Sequence, residues 1–193
     1  MIDSDVLIHI DRTIKDIWVK QIRYDYSNDN LLNEGSVKCS FYYHLRNKLG
    51  RILKANNLHI YPEFYFPNLK YRTDLAIVQL DYGMQEEFLK DLALASDVIA
   101  IIEIKLTSGD DPATTDWIMR DIQKMKRYLQ DGRLDCLYYF ACIYETEWSS
   151  LQWMDKRSTN NWAKGHVAEL NAGLIDGVMR FEINSYNGLN TDL

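Results

Sequence analysis

The alternation of hydrophobic and polar positions along the chain predicts a series of helices and strands. Apolar side chains recur at helical spacing over 4–24, and again over 34–54 and 113–130. Apolar or alternating runs predict strands, which cover residues 58–66, 71–80, 98–105, 134–143 and 177–183. Helices mixed with strands in this order predict an α/β protein with a central mixed β-sheet flanked by helices.

Some segments have weaker patterns. Residues 85–95 are interpreted as a short helix or a long excursion between two strands. Residues 148–171 are rich in tryptophan and are interpreted as helical. Pro62 removes a backbone donor from the 58–66 strand, which disfavours a central, fully paired position there. The 177–183 strand is expected at an edge of the sheet.

Charged side chains stand at the end of the most hydrophobic strand. A run of apolar residues from Val98 to Ile102 is followed by Glu103 and Lys105, which share one face of a strand. The preceding strand, 71–80, carries one carboxylate, Asp74, among apolar neighbours. Burying such groups is costly, so a site is one explanation and a strand-end ion pair is the other. Two converging carboxylates would suit Mg²⁺, which prefers oxygen ligands.

These residues resemble the PD-(D/E)xK nuclease superfamily, whose members have the restriction-endonuclease-like fold. Asp74 matches the first acid of the motif, Glu103 the second and Lys105 the lysine, and the resemblance covers about 34–143. Thr73 stands where the motif usually has proline. The resemblance implies a Mg²⁺ ion, replaceable by Mn²⁺, bound by Asp74, Glu103 and the carbonyl of Ile104. It also implies that the metal and Lys105 activate a water that hydrolyses a phosphodiester bond.

Two further acids are candidates for an auxiliary carboxylate in such a site. Glu34 lies in the first turn of the 34–54 helix, where nucleases of this fold often carry a glutamate. Favourable placement at the positive end of a helix explains Glu34 equally well. Glu63 follows Pro62 just before the Asp74 strand, and simple alternation puts it on one face with Tyr61 and Tyr65. An exposed strand glutamate is the alternative for Glu63.

The net charge of −6 argues against a general nucleic-acid coat protein, because phosphate binding normally needs a basic surface. Cations nevertheless concentrate between Lys38 and Arg72 and between Arg120 and Arg133. We expect these two groups to flank one cleft. The candidate nucleic-acid contacts are Arg72, Lys124, Lys48 and Arg51. For Lys124, a solvated basic helix face is the alternative.

The 193 residues suit one domain, with a nuclease-like core at about 34–143, an N-terminal helix at 4–24 and a C-terminal extension at 148–193. The sequence contains no signal-peptide pattern and no apolar run of membrane-spanning length. The cysteines, Cys39, Cys136 and Cys142, lack the spacing of a zinc site or a disulfide framework. We therefore expect a reduced, cytoplasmic protein.

The favoured function is a metal-dependent endonuclease acting on nucleic acid, with DNA favoured as substrate. A homodimer would fit cleavage of a duplex, which needs two sites. The alternative is a catalytically silent module that keeps the fold and binds nucleic acid or a protein partner. Its weakness is that Asp74, Glu103 and Lys105 are all present. An unrelated α/β protein with strand-end ion pairs is the third interpretation.

Overall fold

The computed structural model describes residues 2–67, 69–80, 96–109, 111–131, 135–148 and 150–189. The helices are α1 (Ser4–Asp16), α2 (Arg23–Ser27), α3 (Glu34–Ala55), α4 (Pro112–Gln130) and α5 (Lys156–Thr159), with a π-helical segment at Ile17–Ile22 joining α1 to α2. The strands are β1 (Leu58–Phe66), β2 (Tyr71–Leu80), β3 (Ser96–Thr107), β4 (Leu137–Glu147), β5 (Val167–Ile175) and β6 (Val178–Ser185). The interpretation of 85–95 falls outside the described residues.

All of these strands form one mixed sheet in the order β1-β2-β3-β4-β5-β6. The β1–β2, β2–β3 and β5–β6 pairs are antiparallel, whereas β3–β4 and β4–β5 are parallel. The parallel pair β3–β4 is joined through α4, as a βαβ crossover requires. The prediction of an α/β protein with a helix-flanked mixed sheet is confirmed. Glu63, Asp74 and Glu103 lie on the adjacent strands β1, β2 and β3.

The two faces of the sheet are covered by different helices. On one face, Ile77 of β2 and Ile102 of β3 belong to a core shared with α1, the π-helical segment and α3. On the other face, Ile101 of β3 and Phe140 of β4 pack with Ile118 and neighbouring residues of α4. Alternate side chains of each central strand enter the two cores, which explains why β3 and β4 are hydrophobic on both faces.

The N-terminal helical segment was predicted over 4–24 and extends from Ser4 to Ser27. The side chain of Asp3 caps α1 by accepting a hydrogen bond from the Asp5 amide. Trp18 in the π-helical segment is fully buried and lies 5.2 Å, between ring centroids, from Phe181 of β6. The N-terminal helical segment therefore packs against the strand β6, and the two belong to one core.

The backbone conformation at Glu63 alters the predicted alternation along β1. The β1–β2 register is continuous on both sides of this residue, since Pro62 pairs with Leu75 and Phe64 pairs with Thr73. Glu63 has φ = 53°, a left-handed conformation. Before it, Ile60 belongs to the core shared with α3, whereas after it Phe64 and Phe66 belong to the core shared with α4. The expectation that Glu63 shares a face with both Tyr61 and Tyr65 is therefore wrong, because the left-handed residue exchanges the two faces of the strand. The edge position expected for β1 from Pro62 is confirmed.

The prediction of a helix over 148–171 is wrong. This region contains only the short α5 among its described residues and ends in β5, which is buried along most of its length. The carboxylate of Glu169 in β5 accepts hydrogen bonds from the Trp153 and Met154 amides and from the Asn171 side chain. These bonds attach the tryptophan-rich segment to the sheet. β6 takes the expected edge position.

Candidate functional site

The acids of β2 and β3 meet at one end of the central strands. Leu75 pairs with Ile102, so continuing the antiparallel register by one residue places Asp74 opposite Glu103. There the Asp74 side chain replaces a backbone acceptor, since its Oδ2 accepts a hydrogen bond of 2.8 Å from the Ile104 amide. Thr73, on the other face, donates its hydroxyl to the Ile102 carbonyl at 3.3 Å. The candidate ligands Asp74, Glu103 and Ile104 thus lie together.

Glu103 is the most deeply buried acid of this group, with a relative exposure of 1%. Its Oε2 accepts a hydrogen bond of 2.7 Å from the ammonium of Lys124 in α4. Its Oε1 is buried and no described residue meets hydrogen-bond geometry with it. The Tyr128 hydroxyl is close by, since burial and then the Glu103 carboxylate raise the pKa of Tyr128. Burial raises the pKa of Glu103 to about 8; the Lys124 ammonium opposes this rise and the Asp74 carboxylate adds to it. A buried carboxylate with an unsatisfied oxygen is costly for the fold.

Lys105 lies on the same face of β3 as Glu103 and is held by two carboxylates. Its Nζ is 3.0 Å from Glu34 Oε2 and 2.9 Å from Asp121 Oδ2. Burial acts to lower the pKa of Lys105, but the hydrogen bonds and charges of Asp121 and Glu34 outweigh burial and raise the pKa above the usual lysine range. Lys105 is therefore protonated in this arrangement and can supply positive charge and hydrogen bonds.

Lys38 of α3 joins the remaining acids. Its Nζ is 2.9 Å from Asp74 Oδ1 and also contacts the Glu63 carboxylate. Burial acts to lower the pKa of Lys38, but its bonds to Glu63 and Asp74 outweigh burial and raise the pKa. Lys38 is four residues after Glu34, so both side chains project from one face of α3 toward the strand ends. The left-handed backbone at Glu63 brings its half-exposed side chain to the same lysine.

The ion pairs form three neighbouring groups: Lys38 with Glu63 and Asp74, Lys105 with Glu34 and Asp121, and Lys124 with Glu103. The charges of Asp74 and Asp121 both act on Glu103, so we call the three groups together the lysine–carboxylate network. It contains five carboxylates and three ammonium groups, so its formal charge is −2 when every group is ionised. All of the candidate acids predicted from sequence therefore lie in one network. Sequence reasoning did not single out Lys38 and Asp121 as site residues. The signal for both was helical spacing, Lys38 from Glu34 and Asp121 from Lys124.

The candidate nucleic-acid contacts are not all in one place. Lys124 lies in the network, and the Arg72 guanidinium lies 5.4 Å from the ring of Tyr65 at the β1–β2 end near Glu63. Lys48 instead forms an ion pair of 2.9 Å with Asp16 of α1. At about 1.5 Å per residue, Lys48 and Arg51 lie roughly 21 Å and 26 Å along α3 from its N-terminal residue. The structure thus does not bring Lys48 and Arg51 to the network.

The network offers oxygen donors of the kind that Mg²⁺ prefers. No group of three or more histidine, cysteine, aspartate or glutamate side chains with metal-ligand geometry occurs among the described residues. The donor chemistry is nevertheless that of a magnesium site with two carboxylates, because Glu103 Oε1 is unsatisfied and Asp74 is adjacent. The excess negative charge of the network would be balanced by one divalent cation. The residues present therefore fit such an ion.

No family model, curated protein sequence or solved structure matches this chain. In the described part of the chain, no helix has the length and apolar character needed to cross a bilayer. The function must therefore be inferred from the geometry and chemistry of the network.

Proposed function

We propose that this protein is a metal-dependent nuclease of the PD-(D/E)xK type, with a restriction-endonuclease-like core. The observation that carries the proposal is the environment of Glu103. This carboxylate is buried, lies beside Asp74 and retains an oxygen without a partner among the described residues. Natural folds accept such an unfavourable group mainly at functional sites. The order Asp74, Glu103, Lys105 on adjacent strands supports the same proposal.

Asp74 and Glu103, with the carbonyl of Ile104, would hold one Mg²⁺ or Mn²⁺ ion. Bound there, the ion supplies Lewis-acid chemistry to phosphodiester hydrolysis. Lys105 is protonated and fixed between Glu34 and Asp121. Its role is to donate a hydrogen bond to the substrate phosphate and to offset the negative charge that develops on it. Glu34 and Asp121 hold that ammonium in place.

Lys38 and Lys124 hold the acids in position before substrate arrives. Lys38 fixes Asp74 Oδ1 while the Ile104 amide fixes Oδ2, so the orientation of this carboxylate is determined from both oxygens. Lys124 fixes Glu103 Oε2 and leaves Oε1 available. This organisation would reduce the reorganisation required when a cation and a phosphate bind.

The proposal is tested by incubating wild-type protein with single-stranded, duplex and flapped DNA and with RNA, in Mg²⁺ or Mn²⁺ and in EDTA. We expect metal-dependent cleavage of at least one substrate, and its loss in Asp74→Asn and Glu103→Gln. Glu182→Gln is the matched control, because Glu182 is an exposed glutamate on the far edge strand β6. Cleavage that survives EDTA or both site substitutions would contradict the proposal.

One observation favours a second candidate, a catalytically silent module of the same fold. Each carboxylate of the network already has a lysine partner. A network of this kind can have a purely structural role, in which it attaches α3 and α4 to the sheet. The silent module would bind nucleic acid or a protein but would bind no divalent cation at Asp74. Absence of cleavage together with absence of cation binding would favour it.

A further inference from the structure

A groove lies beside the lysine–carboxylate network, between α4 and the start of β2. It is lined by Tyr71, Asp116, Met119, Arg120, Asp121, Gln123, Lys124 and Arg127. Lys124 contacts Glu103 and Asp121 contacts Lys105, so the groove opens directly onto the proposed catalytic residues. A ligand in the groove would therefore be next to them.

The groove presents two guanidinium groups that no described carboxylate neutralises. Arg120 is exposed and forms no ion pair within the described part of the chain, and Arg127 donates to the hydroxyl of Tyr71. Asp121 and Lys124 are paired with network residues. Arg120 and Arg127 are two helical turns apart, about 10 Å along α4. They would therefore contact different phosphates of one strand.

Aromatic side chains accompany these arginines. Tyr71 lies half-buried in the lining, with the Arg127 guanidinium 5.9 Å from its ring centre. Trp117 does not line the groove itself; it is 55% exposed and precedes Asp121, a lining residue, by one helical turn on α4. An exposed indole on a helix has a large apolar surface in water, and nucleobases stack favourably on such surfaces. The bases of an intact duplex are already stacked on each other, so this surface suits unpaired bases.

We propose that the α4 groove binds a single-stranded polynucleotide and leads it to Glu103 and Lys105. The inference rests on the proposed nuclease function, because that proposal makes Glu103 and Lys105 the end point of the bound strand. It adds that the substrate is single-stranded. Arg120 and Arg127 bind its phosphates, and Trp117 and Tyr71 stack on its bases. The net charge of −6 supports this choice over a duplex, because a duplex needs a broader basic surface than two unpaired arginines.

Binding is measured in EDTA, so that cleavage cannot occur, by fluorescence anisotropy. The probes are labelled oligothymidylate and oligouridylate of roughly 20 nucleotides, longer than one site of this kind, and a DNA duplex of equal length. We expect either single strand to bind more tightly than the duplex. Arg120→Gln/Arg127→Gln should weaken that binding on the order of 50-fold at about 50 mM salt and reduce the salt slope by about 1.4.

Trp117→Leu should weaken single-strand binding by about 5- to 100-fold, and Trp117→Phe should restore most of it through its ring. The matched control is Arg12→Gln/Arg23→Gln, which removes the same charge from exposed positions on helices of the opposite sheet face. That control should bind like wild type. Equal or tighter binding of the duplex, or groove variants that bind like wild type, would overturn the inference.

The outcomes also separate this inference from the nuclease proposal. If the groove binds a single strand but no divalent ion supports cleavage, the groove inference is supported and the nuclease proposal is refuted. If wild type and the Arg120→Gln/Arg127→Gln variant both cleave duplex in a metal-dependent way, the nuclease proposal is supported and the groove inference is refuted. Comparing the affinities for oligothymidylate and oligouridylate shows whether a DNA or an RNA strand is preferred; binding of either one is consistent with the inference.

Discussion

Replacing Glu103 by glutamine should stabilise the protein at alkaline pH while removing its divalent-cation site. Glutamine has nearly the same shape and still offers an oxygen to Lys124. It carries no charge, so the buried position no longer contains a carboxylate that becomes ionised. A residue retained at the expense of stability is expected where function requires it.

The sign and size follow from the pKa of Glu103, which burial raises from 4.5 in the unfolded chain to about 8 in the folded protein. Below pH 4.5 both states are protonated and Glu103 has no destabilising effect. As pH rises toward 8 the unfolded state loses its proton first, so the stability of the wild type falls. The two pKa values correspond to about 4–5 kcal/mol, and this figure already includes the opposing attraction of Lys124. We expect Glu103→Gln to be roughly 2–5 kcal/mol more stable than wild type at about pH 9.

The assay is chemical denaturation in EDTA at about pH 5, 7 and 9. The two proteins should be equally stable within about 1 kcal/mol at the lowest pH and diverge as pH rises. Glu182→Gln, at an exposed position, should follow the wild-type curve throughout. Addition of Mg²⁺ at about 100 times its Kd should stabilise wild type by about 2.7 kcal/mol and leave Glu103→Gln unchanged. A variant less stable than wild type at every pH would refute the reasoning, because Glu103 would then be a stabilising ion-pair partner.

Three other substitutions test separate parts of the structure. Lys105→Met should keep divalent-cation binding, measured by calorimetry, but lose cleavage by about 10²–10³-fold, because the developing charge loses its partner; equal cleavage rates would show that Lys105 is only structural. Lys38→Met should tighten Mn²⁺ binding by about tenfold, because the lost repulsion between the ammonium and the cation outweighs the lost positioning of Asp74; weaker binding would show that the positioning effect is the larger one. Gly177→Ala should lower the free energy of unfolding by about 1 kcal/mol, because Gly177 has φ = 71° in the β5–β6 turn after Asp176. An added Cβ would meet no atom within 4 Å, so the cost comes from the backbone conformation alone. An unchanged denaturation midpoint would contradict this strain.

The hydrophobic pattern predicted the elements of the sheet centre well, for a physical reason. Strands β2, β3 and β4 are buried on both faces, and α3 and α4 each have one buried stripe, so burial and sequence pattern coincide. The prediction for 148–171 is wrong because this segment is attached to β5 by hydrogen bonds that the backbone amides of Trp153 and Met154 donate to Glu169, a residue distant in sequence. No local periodicity reports such a contact.

Asp74 and Glu103 were predicted from their position in apolar strands, and Glu34 and Glu63 from the resemblance to nucleases of this fold; all of them lie in the network. Their surroundings were harder to predict. The left-handed conformation of Glu63 exchanges the faces of β1, which simple alternation ignores. Lys38 and Asp121 reach the network only because α3 and α4 pack on opposite faces of the sheet with their side chains directed to the same strand ends. Helical spacing could have pointed to both residues, but only the packing of the helices selects them.

The central claim is that Asp74 and Glu103 form a divalent-cation site, and calorimetric titration with Mn²⁺ and Mg²⁺ tests it most directly. The account predicts saturable binding to wild-type protein, loss of that binding in Asp74→Asn, and retention of it in Lys105→Met. Wild-type protein that binds neither ion at any concentration tested would contradict the claim, and the lysine–carboxylate network would then be a structural element of the fold.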